Sequence, residues 1–118
     1  VIDASVLGLD PPTLVGFENH AGRTFLGAGL RPLGRCIVGG GNNGADGSEG
    51  VVSGTVIGTY LHGSLLPKNP HLTDHLLGLA LARRDPGAPL EPLEAAEEMT
   101  AHRAMVARIR REGPLGNR

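Results

Sequence analysis

Val56-Ile57-Gly58-Thr59-Tyr60-Leu61-His62-Gly63 gives way, a few residues later, to Asn69-Pro70-His71-Leu72. The first run is rich in β-branched and aromatic residues. It predicts a strand, which begins with Val51-Val52, is interrupted around Gly54 and ends at His62. The second predicts a helix: Asn69 as N-cap and Pro70 at the first helical position, where a missing N–H costs nothing. Leu72, Leu76, Leu77, Leu79, Ala80 and Leu81 follow, up to Arg83-Arg84 before the Asp85-Pro86-Gly87 break. That breadth of apolar residues suits a helix lying flat on a sheet. A strand feeding a helix through a histidine makes the chain α/β.

Fifteen of the 19 glycines lie in residues 1–66 and four in 67–118, so the first half reads as short strands and turns and the second as helices. Upstream strand candidates are Thr13–Phe17 after Pro11-Pro12, Arg23–Leu26, and Leu33–Val38. Residues 39–50 read as a loop. Downstream, a second helix is expected from about Pro92 to Arg111. Glu94, Glu97 and Glu98 stand in its first turns and Arg108, Arg110 and Arg111 in its last, the order its dipole favours. Met99, His102, Val106 and Ile109 form its narrow apolar stripe, and the tail after Gly113 is expected to fray.

Composition excludes several classes. Eleven basic against twelve acidic residues leave a net charge of −1, with no electrostatic footprint for nucleic acid. No apolar run approaches the roughly 18 residues of a membrane span. The opening Val1-Ile2-Asp3-Ala4 does not read as a signal peptide. The single cysteine, Cys36, allows no internal disulfide and no cysteine-based metal site, which suits a reducing cytoplasm. With three aromatics the core is modest, and nothing in residues 1–68 covers the second face of the sheet. The chain therefore reads as about half of an α/β domain.

Candidate chemistry is sparse. Gly39-x-Gly41-x-x-Gly44 follows a strand, but Asp46, Gly47, Ser48 and Gly50 leave no place for the helix a dinucleotide fingerprint needs. One copy of a glycine/aspartate calcium pattern, with Asn42 at a glycine position, makes no calcium site. His71 and His75 share the i, i+4 spacing of zinc helices but lack a third ligand, and read as surface histidines. Cys36 lies mid-strand with no base beside it and reads as an inert core thiol. His62 differs: at a strand's carboxyl end before a helix it can be a general base for a thiol or hydroxyl, or a structural histidine. Glu18, Asn19, His20 and Arg23 cluster after the Thr13–Phe17 strand, as pocket lining or as a hydrogen-bonded turn.

Gly16-Phe17-Glu18-Asn19-His20-Ala21-Gly22-Arg23-Thr24 resembles the corresponding segment of class I glutamine amidotransferases of the cobyric-acid-synthase type. Leu33-Gly34, Gly41-Asn42-Asn43, Glu49-Gly50 and Gly58-Thr59-Tyr60-Leu61-His62-Gly63 are similar to the downstream motifs of that family. Together with Glu18–Thr24, the run Pro67-Lys68-Asn69-Pro70 favours its branch of lipid II isoglutaminyl synthase glutaminases over cobyric or cobyrinic acid amidation. The resemblance covers about residues 1–84. It implies the C-terminal part of a flavodoxin-like amidotransferase domain over 1–84, with 85–118 a helical extension.

It further implies that His62 is the catalytic histidine, taking the proton from a cysteine that attacks glutamine, and that Glu18, Asn19, His20 and Arg23 line the substrate pocket. The family's nucleophile lies upstream of the Gly16–Thr24 segment, so this chain alone is expected to be inactive. A truncated remnant or binding module is the non-enzymatic alternative. Ser64 stands where many class I relatives carry a Glu two residues after the histidine. No cofactor or metal is expected here. ATP and magnesium belong to a Mur-ligase-like synthetase partner, which would use the ammonia to amidate lipid II in the cytoplasm without membrane insertion of this chain.

Overall fold

The computed structural model describes residues 1–91 and 93–113. Eight short strands, with a 3-10 turn at Ser5–Leu7 after the first, precede three α-helices among the described residues: β1 (Ile2–Asp3), β2 (Thr13–Leu14), β3 (Phe17–Glu18), β4 (Gly34–Cys36), β5 (Ser48–Glu49), β6 (Val51–Ser53), β7 (Val56–Gly58) and β8 (Leu61–His62), then α1 (Leu65–Lys68), α2 (Pro70–Arg84) and α3 (Ala96–Glu112). The chain is α/β. The strands form a four-stranded sheet in the order β2-β1-β4-β5 and two ribbons, β3-β8 and β6-β7. Every pairing among them is antiparallel.

Several expected boundaries move, each for a physical reason. Thr13–Phe17 is two strands, because the side-chain amide of Asn69 takes both backbone groups of Val15, donating to its carbonyl at 2.8 Å and accepting its N–H at 2.8 Å. Asn69 makes no side-chain cap on α2, although α2 does start at Pro70. Arg23–Leu26 is not a strand: Thr24 N–H donates to the Asn42 carbonyl (2.7 Å) and the Asn43 amide donates to the Thr24 carbonyl (3.0 Å), pinning the segment to a loop.

Leu33–Val38 shortens to β4, because the Ile37 and Val38 N–H groups turn to the Val1 carbonyl. Within the expected loop, β5 pairs with β4. The strand interrupted at Gly54 is a hairpin, β6-β7, with Gly54 left-handed at its turn (φ 56°). Strands β1 and β5 and helix α1 have no counterpart in the sequence reading.

The core has two parts. Ile2, Ala4, Leu14, Leu33, Leu61 and Leu72 pack together, and Val1, Val15, Val106 and Ile109 form a second cluster. Leu72 is the one fully buried residue described on α2, while Leu77 and Leu79 are each 49% exposed, so its apolar coverage is not spent on the sheet as expected. The stripe on α3 is used as its spacing implies: His102, Val106 and Ile109 are buried. Its acidic first turn and basic last turn are also as read, but it starts at Ala96, leaving Glu94 outside it. Pro92 and the tail beyond Gly113 lie outside the described residues.

Candidate functional site

The β3-β8 ribbon positions the histidine. Phe17 pairs with His62 and Glu18 with Leu61. Directly opposed residues of an antiparallel pair share a face. Leu61 enters the core, so Phe17 (55% exposed) and His62 stand on the open face. Beyond His62 the chain reverses through two left-handed residues, Gly63 (φ 66°) and Ser64 (φ 58°), into α1. The Lys68 ammonium donates to the Gly63 carbonyl at 2.7 Å and ties that turn down. No hydrogen bond among the described residues holds the His62 ring.

The segment 18–24 wraps the strand that precedes His62. The His20 ring stacks on Tyr60, centroids 3.7 Å apart and planes 8° apart. His20 Nδ1 lies 2.9 Å from the Gly22 carbonyl; a carbonyl only accepts, so Nδ1 carries the proton. The hydroxyls of Tyr60 and Thr24 bond at 2.7 Å. Glu18 accepts the N–H groups of Gly40 and Gly41, both at 2.8 Å, and so anchors the glycine loop. Gly41 is left-handed (φ 61°), and a Cβ there would collide with the Ser48 carbonyl. The four expected pocket residues do come together: Glu18, Asn19, His20 and Arg23 line one open cleft of about 410 Å³ with Gly40, Gly41 and Asn43. That is within the roughly 300–1,000 Å³ of small-molecule sites. Asn19 and Arg23 are exposed there, whereas Glu18 is occupied with the loop. His62 does not line this cleft; it stands one ribbon position away.

The loop is itself a polar assembly. Asn42 (1% exposed) accepts the Gly50 N–H at 2.7 Å and donates to its carbonyl at 3.0 Å. The Asp46 carboxyl, held by the Ser48 hydroxyl and the Asn43 amide, is pulled down to about 2. From this loop the chain turns into β5, with no helix to receive a dinucleotide. Cys36 is half-buried; its thiol faces the Ser48 carbonyl at 3.9 Å, and burial pushes its pKa up, away from the thiolate a nucleophile needs.

Two features went unread in the sequence. Glu49 is fully buried, and its carboxylate accepts the Tyr60 N–H at 2.6 Å and the Thr59 hydroxyl at 2.9 Å. Burial pushes its pKa up, against those bonds. In the sequence Glu49 stood out only as part of the Glu49-Gly50 match to the family, with no role attached to it. The other feature corrects the surface reading of His71. Its Nε2 donates to the Thr13 carbonyl at 3.0 Å, its ring meets His102 edge-on at 4.9 Å, and its Nδ1 is buried without a partner among the described residues. His102 Nδ1 donates to the Lys68 carbonyl, and the Thr13 hydroxyl bonds Nε2. Among the described residues no group of three His, Cys, Asp or Glu side chains could hold a metal ion, and no helix is long and apolar enough to cross a membrane.

Comparison with known proteins places these contacts in context. The profile of the CobB/CobQ-like glutamine amidotransferase domain matches residues 3–70. The chain is 42% identical over 114 residues to the Staphylococcus aureus lipid II isoglutaminyl synthase (glutamine-hydrolyzing) subunit GatD, covering 95% of this chain and 44% of that protein. The Streptococcus pneumoniae subunit GatD is 44% identical over 72 residues, covering 61% and 28%. A cobyric acid synthase of Pelotomaculum thermopropionicum is 46% identical over 72 residues, covering 60% and 13%. The chain thus spans less than half the length of these relatives. A match of 114 residues necessarily runs beyond residue 84, where the resemblance read from the motifs stopped.

Proposed function

The chain belongs to the CobB/CobQ-like glutamine amidotransferase family, and from that premise we propose that it carries the general base of a glutaminase that releases ammonia for lipid II amidation. The observation that carries the reading is the exposed His62 imidazole, on the same ribbon as the Glu18–Arg23 cleft and preceded by the Tyr60 on which His20 stacks. Residues 1–84 are then the C-terminal part of a flavodoxin-like domain, and 85–118 a helical extension whose α3 docks on Val1 and Val15.

The chemistry asks one proton carrier to act three times. His62 takes the proton of a cysteine thiol, and the thiolate attacks the side-chain amide carbon of glutamine. As the C–N bond breaks, the imidazolium returns the proton to the leaving nitrogen, giving ammonia and a thioester. His62 then relays a proton from the attacking water to the departing cysteine sulfur as the thioester is cleaved to glutamate, which restores both groups. The thiol comes from outside these 118 residues, because Cys36 is turned to the Ser48 carbonyl. In the cleft, Asn19 and Arg23 are free to hold the polar end of glutamine, Arg23 as the cation for its α-carboxylate. His20 shapes the wall by stacking, and Glu18 acts through the glycine loop it anchors. Ammonia passes to a Mur-ligase-like synthetase partner, which supplies ATP and magnesium, in the cytoplasm.

Cobyric acid amidation is the second reading. The lipid II branch is favoured by extent of match: 114 residues, reaching into the helical extension, against 72 for the cobyric acid synthase. The test is His62→Ala in the assembled synthetase–glutaminase. Glutamine-driven amidation should fall at least about 100-fold, in line with the usual worth of general acid–base help. Amidation driven by ammonium should persist. Equal loss with both nitrogen sources would assign His62 to the fold or the subunit interface instead.

A further inference from the structure

Glu49 is a costly residue for its place. It has no exposed surface, and the ion pairs found among the described residues lie elsewhere, on α3. Burying a carboxylate without a cation is expensive unless hydrogen bonds replace water. The bonds it gets all come from the two residues joining β7 to β8. Oε1 accepts the Tyr60 N–H at 2.6 Å, and the Thr59 hydroxyl donates to the carboxylate, 2.9 Å from Oε1 and 3.1 Å from Oε2. Because that hydroxyl gives its proton to Glu49, its lone pairs are free to accept the Leu61 N–H at 3.0 Å. One carboxylate therefore fixes residues 59, 60 and 61 in sequence, and residue 62 is the histidine.

The constraint also extends sideways. Tyr60, whose N–H is bound by Glu49, carries the stacked His20 ring on one side and bonds Thr24 through its hydroxyl. Leu61, whose N–H rests on Thr59, anchors β8 in the core opposite Glu18. By contrast the His62 ring, exposed and followed by two left-handed residues, has no hydrogen bond of its own among the described residues. The β3 pairing and the Lys68 bond to the Gly63 carbonyl hold the backbone at and after His62, and on the N-terminal side Glu49 fixes the three residues that lead into it.

We infer that Glu49 is a positioning residue for His62, its buried carboxylate aiming the imidazole by locking Thr59, Tyr60 and Leu61. The inference rests on the glutaminase reading for its catalytic consequence, but the aiming itself is a structural claim. Both are tested in the assembled enzyme with Glu49→Gln, Glu49→Asp and Thr59→Val. Glu49→Gln keeps the shape but removes the negative charge and one of the two acceptor oxygens, leaving a single neutral carbonyl oxygen for the Tyr60 N–H and the Thr59 hydroxyl. It should lower kcat for glutamine hydrolysis about 10-fold or more with KM nearly unchanged, since a misplacement of about 1 Å can cost up to 10²-fold.

Thr59→Val keeps the Tyr60 bond, removes the Leu61 acceptor, and should fall between wild type and Glu49→Gln. Glu49→Asp should recover part of the loss. Ammonium-driven amidation should be unaffected in all three. In parallel, the His62 ring C–H resonances of enzyme with labelled histidine should move or split in Glu49→Gln and, less, in Thr59→Val. Unchanged His62 resonances and kcat, with a lowered melting temperature only, would overturn the inference and leave Glu49 a fold residue. If wild type hydrolyses no glutamine, the glutaminase reading fails, and the resonances alone decide the aiming: perturbed His62 signals uphold it, unperturbed ones overturn it.

Discussion

The motif-bearing region, residues 1–62, and the helical region, 65–112, are held together by opposite means. In the first, no strand exceeds three residues, and around a core of Ile2, Ala4, Leu14, Leu33 and Leu61 the loops are ordered by polar side chains that grip backbone: Glu18 on Gly40 and Gly41, Asn42 on Gly50, Asn43 on Thr24, Glu49 on Tyr60. In the second, helices of 15 and 17 residues satisfy their own backbones and dock through a few apolar side chains, chiefly Leu72, Val106 and Ile109. A short strand cannot satisfy its own chain, so a side chain must finish the job. The consequence is functional. A loop gripped by buried amides and carboxylates is fixed in shape without a large core, which is what a substrate cleft needs from a sequence with three aromatics.

Asn69 joins the two regions, and removing it should have the largest effect on stability. Its amide bonds the Val15 N–H, the Val15 carbonyl and the Leu65 carbonyl, at 2.8, 2.8 and 2.6 Å. Asn69→Ala leaves two groups of Val15 buried and unpaired, at about 1–3 kcal/mol each. A loss of about 3 kcal/mol or more in urea unfolding is expected. Ile109→Ala, on the helical side, deletes side chain from a small cluster at the rim and should cost about 2 kcal/mol, the low end for such truncations. If Ile109→Ala proves the more damaging, the contrast between polar grip and apolar docking fails.

A smaller effect sharpens the same contrast at the one polar cluster of the helical side. Burial holds the His71 pKa below its ordinary 6.5, helped by the neighbouring His102 and opposed by the Thr13 bond and by Asp10 and Asp74. Well above pH 6.5 folded and unfolded chains both carry neutral His71. As pH falls through that value the unfolded chain binds a proton that the folded chain resists, so stability drops. Unfolding free energies between about pH 7 and 5.5 should therefore decline more steeply in wild type than in His71→Gln. Glu49, whose raised pKa acts with the opposite sign above 4.5, is common to both proteins and cancels. Equal slopes would show that His71 titrates as if in water.

What could be read from sequence divides along the same line. The α3 stripe and the limits of α2 were legible because helical order is local: spacing, a proline and terminal charges suffice. Asn69-Pro70 was half legible. Pro70 does open α2, but Asn69 reaches a residue 54 positions away, which no local pattern reveals. Arg23–Leu26 has strand-like residues, yet its partners are the side chain of Asn43 and the carbonyl of Asn42. In the site, the gathering of Glu18, Asn19, His20 and Arg23 followed from adjacency, and the place of His62 at the end of a strand from composition. Glu49 stayed hidden because its burial exists only once Thr59 and Tyr60 fold across it.

The most direct measurement is to capture the acyl-enzyme. The assembled enzyme, mixed with glutamine and quenched in acid, should carry a γ-glutamyl thioester that peptide mass spectrometry maps to a cysteine other than Cys36, and His62→Ala should remove it. A thioester on Cys36, or one that forms undiminished in His62→Ala, would contradict the assignment of His62 as the base of a glutaminase whose nucleophile is supplied from elsewhere.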